Sequence, residues 1–138
     1  MRKALAVTLA SAFVLFAGPT SAHAAQPFDG LWATNRKDCR AKDGPDSKTL
    51  IDLDNVIKGK SAPLVDQYEN HCRVDRTTPA GDGLVLTTTC FEFWDDYTKG
   101  TNGQKVTIRL SPGPKGTIRI DGKAYLLCNR KGDLPKNR

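Results

Sequence analysis

Glu92, Asp95 and Asp96 are the side chains of this sequence whose spacing best suits acid–base chemistry. A glycosidase needs two carboxyls about 5 to 9.5 Å apart across a groove, and Glu92 with Asp95 or Asp96 is the pair that meets this on paper. On an alternating strand, Glu92 shares a face with Cys90 and Trp94, the apolar side, where burial raises a carboxyl pKa as a general acid requires. The competing expectation is structural: acids at a strand end, with Glu92 bonded to Asn70. Histidine chemistry is narrower still. Of His23 and His71, the first falls in a leader segment, so a two-histidine phosphoryl transfer is excluded. Ser47, Ser61 and Ser111 lie outside any nucleophile-elbow setting. Asp52, Asp54 and Asn55 lack the glycine and distal glutamate of a calcium loop, and no glycine-rich phosphate cradle is present. The expectation is therefore no metal and no cofactor.

The elements that would hold these residues begin after an export signal. Arg2 and Lys3 precede an apolar run from Ala4 to Ala17, Gly18-Pro19 breaks it, and Ala22-His23-Ala24 offers the small residues of a cleavage site. The run is about 14 residues, short of the roughly 20 that span a bilayer. Residues 1–24 are expected to be removed, leaving 25–138 as a single β domain whose tail, 131–138, frays. Export leads to an oxidising compartment, periplasmic or extracellular, where Cys39, Cys72, Cys90 and Cys128 read as two disulfides. Their wide gaps argue against a zinc site, and oxidation argues against a thiolate nucleophile.

Strand signals dominate the rest. The runs Gly30–Thr34, Thr49–Leu53, Gln67–Arg76, Leu84–Trp94, Lys105–Leu110, Thr117–Ile120 and Lys123–Cys128 are separated by Gly/Pro/Asn/Asp turns. Seven short strands predict a mainly β fold, a small antiparallel barrel or sandwich. Pro63–Asn70 also fits a weak helical stripe through Leu64, Val65 and Tyr68. Folding Tyr68–Trp94 as a hairpin about Gly81 sets Cys72 opposite Cys90, within disulfide reach. The same register sets Tyr68 opposite Trp94 and Asn70 opposite Glu92. The second bridge is then Cys39–Cys128. Loop closure assigns about 3 kcal/mol to the short bridge and about 4.5 kcal/mol to the long one.

Charge is unevenly spread. Residues 25–96 hold nine basic and thirteen acidic side chains, and residues 97–138 hold ten basic and two acidic. Lys105 and Arg109 share the outward face of one strand and Arg119 that of the next. An envelope polyanion or an acidic protein is the partner such a face suits. With only Tyr97 and Tyr125 nearby, there is no base-stacking platform, which argues against nucleic acid.

The opening Phe28-Asp29-Gly30-Leu31-Trp32 resembles the G-x-W start of lipocalin-like barrels, in which the Trp packs across the closed end. Taken with Cys39, the arm Tyr68-Glu69-Asn70-His71-Cys72 and the partner arm Thr89-Cys90, the plan resembles small, disulfide-stapled β proteins exported by Gram-negative bacteria. The functional expectation is a binding or inhibitory module whose surface is the hairpin end bearing Tyr68, Asn70, Glu92, Trp94, Tyr97 and the loop 95–102. A small hydrolase using Glu92 and a passive envelope protein are the two alternatives.

Overall fold

The alternation of apolar and polar residues that runs through most of the strand segments is the pattern of a sheet with one buried face, and this sheet buries that face by curling onto itself. The computed structural model describes residues 27–42, 44–45 and 47–133; the expected leader lies outside them. Among these residues ten strands form in chain order: β1 (Gly30–Ala33), β2 (Thr49–Asp52), β3 (Val56–Ile57), β4 (Lys60–Ser61), β5 (Leu64–Gln67), β6 (Asn70–Ala80), β7 (Gly83–Phe91), β8 (Gln104–Pro112), β9 (Thr117–Ile120) and β10 (Lys123–Arg130). One helix, α1 (Trp94–Lys99), lies between β7 and β8. Eight strands close into an antiparallel barrel in the order β1-β10-β9-β8-β7-β6-β5-β2, and β3 and β4 form a separate hairpin. Closure removes the free edges that an open sheet of this size exposes.

The barrel wall is one strand richer than the seven runs predict. Leu64–Gln67, the weak helical stripe, is β5, and Leu64 and Val65 are buried. Pairing on both sides, with β2 and with β6, outweighs the local pattern. At the other end of the hairpin, the expected strand through Trp94 stops at Phe91.

Strand alternation sends Ile51, Val65, Cys72, Val74, Leu86, Cys90, Ile108, Leu110, Ile118 and Ile120 into the interior. Thr88, fully buried among them, donates its hydroxyl to the Val106 carbonyl at 2.8 Å, so its burial leaves no unmet polar group. Both expected disulfides are present, Cys72–Cys90 across neighbouring strands and Cys39–Cys128 between the β1–β2 connection and β10.

The β6–β7 register holds as expected over His71↔Phe91, Cys72↔Cys90 and Val74↔Thr88. Asp75 is then a bulge, and from Arg76↔Thr87 onward every pair is displaced by one residue. The extra residue turns Arg76, which would otherwise follow Cys72 and Val74 inward, to the outer face.

The antiparallel order gives the barrel two unlike ends. The lower end holds the residues preceding β1, the β3–β4 hairpin and the tip of β6–β7. Here Trp32 is buried and its indole N–H donates to the Phe28 carbonyl at 2.8 Å. Gly30, at φ 149°, gives this corner its room: a Cβ there would stand 2.9 Å from the Asn129 carbonyl oxygen. Beside it, Lys131 Nζ lies 2.6 Å from Asp52 Oδ1. Residues Lys131–Asp133, expected to fray, are thus a tethered 3₁₀ turn; Asp52 serves this ion pair.

Candidate functional site

The upper end gathers the β1–β2 connection, the Tyr68-Glu69 turn, and the segment from Glu92 to Gly103 that carries α1. Glu69 takes up a left-handed conformation, φ 49°, at the second position of its two-residue turn. The turn divides the rim. Tyr68 lines a groove of about 180 Å³ with Thr34, Lys48, Gln67, Lys123 and Tyr125. Glu69 lines a second groove, of about 340 Å³, with Asn70, Glu92, Asp96 and Gln104 over an apolar side of Phe91 and Val106.

The helix α1 follows from local chemistry. Asp95 and Asp96 occupy its first turn, where negative charge meets the free N–H groups, and Lys99 occupies its last. Gly100 closes it at φ 69°. The helix is pinned on the outside of the barrel by aromatic contacts. Trp94 stacks on His71 with centroids 4.0 Å apart, and Tyr97 meets the edges of Phe91 and Trp94 at 5.6 and 5.1 Å. Below the stack, His71 Nδ1 lies 2.6 Å from Asp66 Oδ1, so the carboxylate fixes the ring that carries Trp94. Gly103 lets the return loop pass over this layer, since a Cβ there would fall 2.6 Å from the Phe91 ring.

Several sequence expectations change here. Tyr68 and Trp94 do not face each other: Tyr68 sits in a turn, Trp94 has left the sheet, and His71 takes the aromatic partner's place. Asn70 pairs with Gln67 across the turn rather than with Glu92, although Asn70 and Glu92 line one groove. Glu92 is exposed rather than on the apolar face, because the strand ends one residue before it. Asp95 is a surface partner of Lys99 at 3.6 Å, its side chain 90% exposed, an interaction of small energy. Asp96 Oδ1 accepts bonds from Thr101 and Asn102 at 2.9 and 3.0 Å, which makes it the tie of the return loop. Of the three acids, Glu92 and Asp96 line one groove. Tyr97 packs, and burial raises its hydroxyl pKa.

The basic residues lie elsewhere, on the outer wall. Lys105 is not free: its Nζ is 2.8 Å from Asp75 Oδ2 and 2.8 Å from Thr89 Oγ1. Burial pushes the Asp75 carboxyl upward, but hydrogen bonds from Lys105, Thr89 and Arg73 outweigh it and leave the pKa lowered. The Arg109 backbone N–H donates to Asp121, and Arg119 reaches the Gly122 carbonyl at 3.2 Å.

His71 as an aromatic platform and the helix α1 were not anticipated. The helix had a legible signal in Asp95-Asp96 at one end and Lys99-Gly100 at the other. The assembled features define a disulfide-linked, eight-stranded antiparallel barrel with a filled interior and an aromatic rim. Compared with known proteins, the chain matches no family model, no curated protein and no solved structure.

Proposed function

We propose that the protein is an exported binding or inhibitory module that recognises its partner with the upper rim of the barrel. The observation that carries this reading is the placement of three large exposed side chains at that end, Tyr68, Phe93 and Trp94, exposed by 43, 56 and 47%. Exposed aromatics are the usual anchors of an interface. The interior is filled by side chains, so recognition takes place on the outside. The rim is also braced: the Cys72–Cys90 bridge lies next to Phe91, and His71 supports Trp94. Export, to the periplasm or beyond, is supported by the two disulfides together with the leader pattern of residues 1–24. The likeness to small exported β proteins rests on the opening G-x-W and the cysteine-bearing arms.

A thermal-shift panel of the oxidised protein tests the reading, with peptidoglycan fragments, lysozymes, proteases, apolar small molecules and divalent metals. A partner present at 100 times its Kd adds about 2.7 kcal/mol to stability. The expected hit is lost by about 30-fold or more in affinity when Trp94 and Phe93 are changed to alanine, as interface anchors are. A partner that binds both forms equally well would remove the rim from consideration.

A further inference from the structure

The groove of about 340 Å³ beside the Tyr68-Glu69 turn is surrounded by three acids, Glu69, Glu92 and Asp96, and three amides, Asn70, Asn102 and Gln104. No lysine or arginine lines it. The basic side chains around it are engaged elsewhere. Arg73, 5.6 Å from the centre of the Phe91 ring, and Lys105 are both taken by Asp75, and Lys99 faces Asp95. Glu92 makes no hydrogen bond or ion pair among the described residues. Three acids with no cation among them give the groove a negative potential.

The amides add to this. Asn70 donates its NH2 to Gln67 at 3.4 Å, and Asn102 donates its NH2 to Asp96 at 3.0 Å. Each is left with its carbonyl oxygen as the end a ligand can use. Asp96 receives Thr101 and Asn102 on Oδ1, so Oδ2 is a further acceptor. The groove thus offers oxygen acceptors on several sides, next to an apolar side of Phe91 and Val106. An arginine side chain matches both parts: five N–H donors on a planar cation, carried by an alkyl stem. A metal ion fits less well, since no cluster of acids, His or Cys among the described residues can hold one. A neutral sugar leaves the charge unmatched and finds no ring to stack on, because Phe91 is buried. Glu92 runs directly into Phe93 and Trp94, and Asp96 shares α1 with Trp94. A partner seated on those aromatics therefore lies beside the groove.

We propose that this groove receives an arginine side chain of the protein bound at the rim. The inference rests on the rim being the recognition end, and it gives the partner a chemistry: a basic protein surface. Nuclear magnetic resonance of the isotope-labelled, oxidised protein tests it, with N-acetyl-arginine methylamide as the probe. Saturable shifts are expected at the side-chain amides of Asn70, Asn102 and Gln104, weakening as salt is raised. The neutral citrulline analogue should not bind, and the lysine analogue, with three donors, should bind more weakly. Glu92→Gln should weaken the arginine probe about 10-fold, as loss of a charged hydrogen-bond partner does. Asp95→Asn removes the same charge from the same end but outside the groove, and should change binding less than about twofold. The spectrum itself verifies that each variant is folded. Equal loss in Glu92→Gln and Asp95→Asn would reduce the effect to net charge and overturn the proposal. So would shifts confined to other residues, or citrulline binding as well as arginine. Binding of N,N′-diacetylchitobiose at these amides, with no response to arginine, would assign the groove to a sugar and overturn it too. The two readings of the rim fail separately. A thermal-shift hit lost on changing Trp94 and Phe93 but kept by Glu92→Gln would leave the rim as the interface and overturn the arginine site. A hit that survives loss of both aromatics would sink the rim reading and the proposed partner with it, even with the arginine probe bound.

Discussion

The two ends of the barrel use the same residue type in opposite ways. At the lower end, Trp32 is shut in and its N–H is satisfied by the Phe28 carbonyl. At the upper end, Trp94 lies about half exposed on the face of His71. The difference is one of the connections. The lower indole comes from a strand and turns back over a glycine that leaves space for it. The upper one comes from a short helix that lies on the outside of the sheet and leaves the ring open to water. Burial thus makes Trp32 part of what holds the fold together, whereas Trp94 is held by the fold and presented.

The largest expected effect is on the closed end. Trp32→Ala should cost about 3 to 5 kcal/mol, the range for a buried large aromatic, measured by urea unfolding. A loss under about 1 kcal/mol would mean that the closed end does not depend on its indole. Replacing Cys72 and Cys90 together by alanine removes the brace beside the rim, with an expected loss of about 3 kcal/mol from loop closure. An unchanged melting temperature would show that the barrel aligns β6 and β7 without it.

Asp29 sharpens the comparison through pH. Burial, opposed by the Leu53 N–H and reinforced by the charge of Asp54, raises its pKa to about 6 from 3.8. The folded state therefore binds the proton more tightly than the unfolded chain. Stability falls as pH rises from about 4 to 6 through this group, and the deficit persists above 6. Asp29→Asn keeps an oxygen for the Leu53 N–H at 2.9 Å and removes the charge. The variant should melt higher than the native protein above pH 6, with the gap closing toward pH 4. A gap independent of pH would assign the effect to packing instead. The smallest change in stability belongs to the open end: Trp94→Ala should cost about 0.5 to 1.5 kcal/mol, the value of one aromatic stack. A loss as large as that of Trp32→Ala would erase the distinction between the two ends.

Much of the barrel can be read directly from residue order. Lys105–Leu110 and Thr117–Ile120 alternate without a break, so β8 and β9 can be read from periodicity, and β10 from the Asp121-Gly122 turn that precedes it. Cys72 and Cys90 lie at equal distance from Gly81, which ties the register to a covalent test. What residue order obscured has physical causes. Leu64–Gln67 is too short for any period to show, and only its neighbours on both sides make it a strand. The bulge at Asp75 has no local signature, since an aspartate between Val74 and Arg76 reads equally well in a regular strand. At the rim, the aromatic run Phe91-Glu92-Phe93-Trp94 reads as continuous strand, although the chain turns away after Phe91. That one misplaced boundary moved Glu92 from an apolar face into water and hid the histidine that carries Trp94.

The Cys39–Cys128 bridge has a further consequence for how the molecule meets a protease. The Gly81-Asp82 tip of the β6–β7 arm is exposed, the kind of site where backbone cleavage begins. A cut there separates Cys39 and Cys72 from Cys90 and Cys128, yet both bridges cross the break. The two pieces remain one particle, and the damage becomes visible on a denaturing gel only after reduction. In an enzyme-rich compartment, the protein can be nicked without being dismantled.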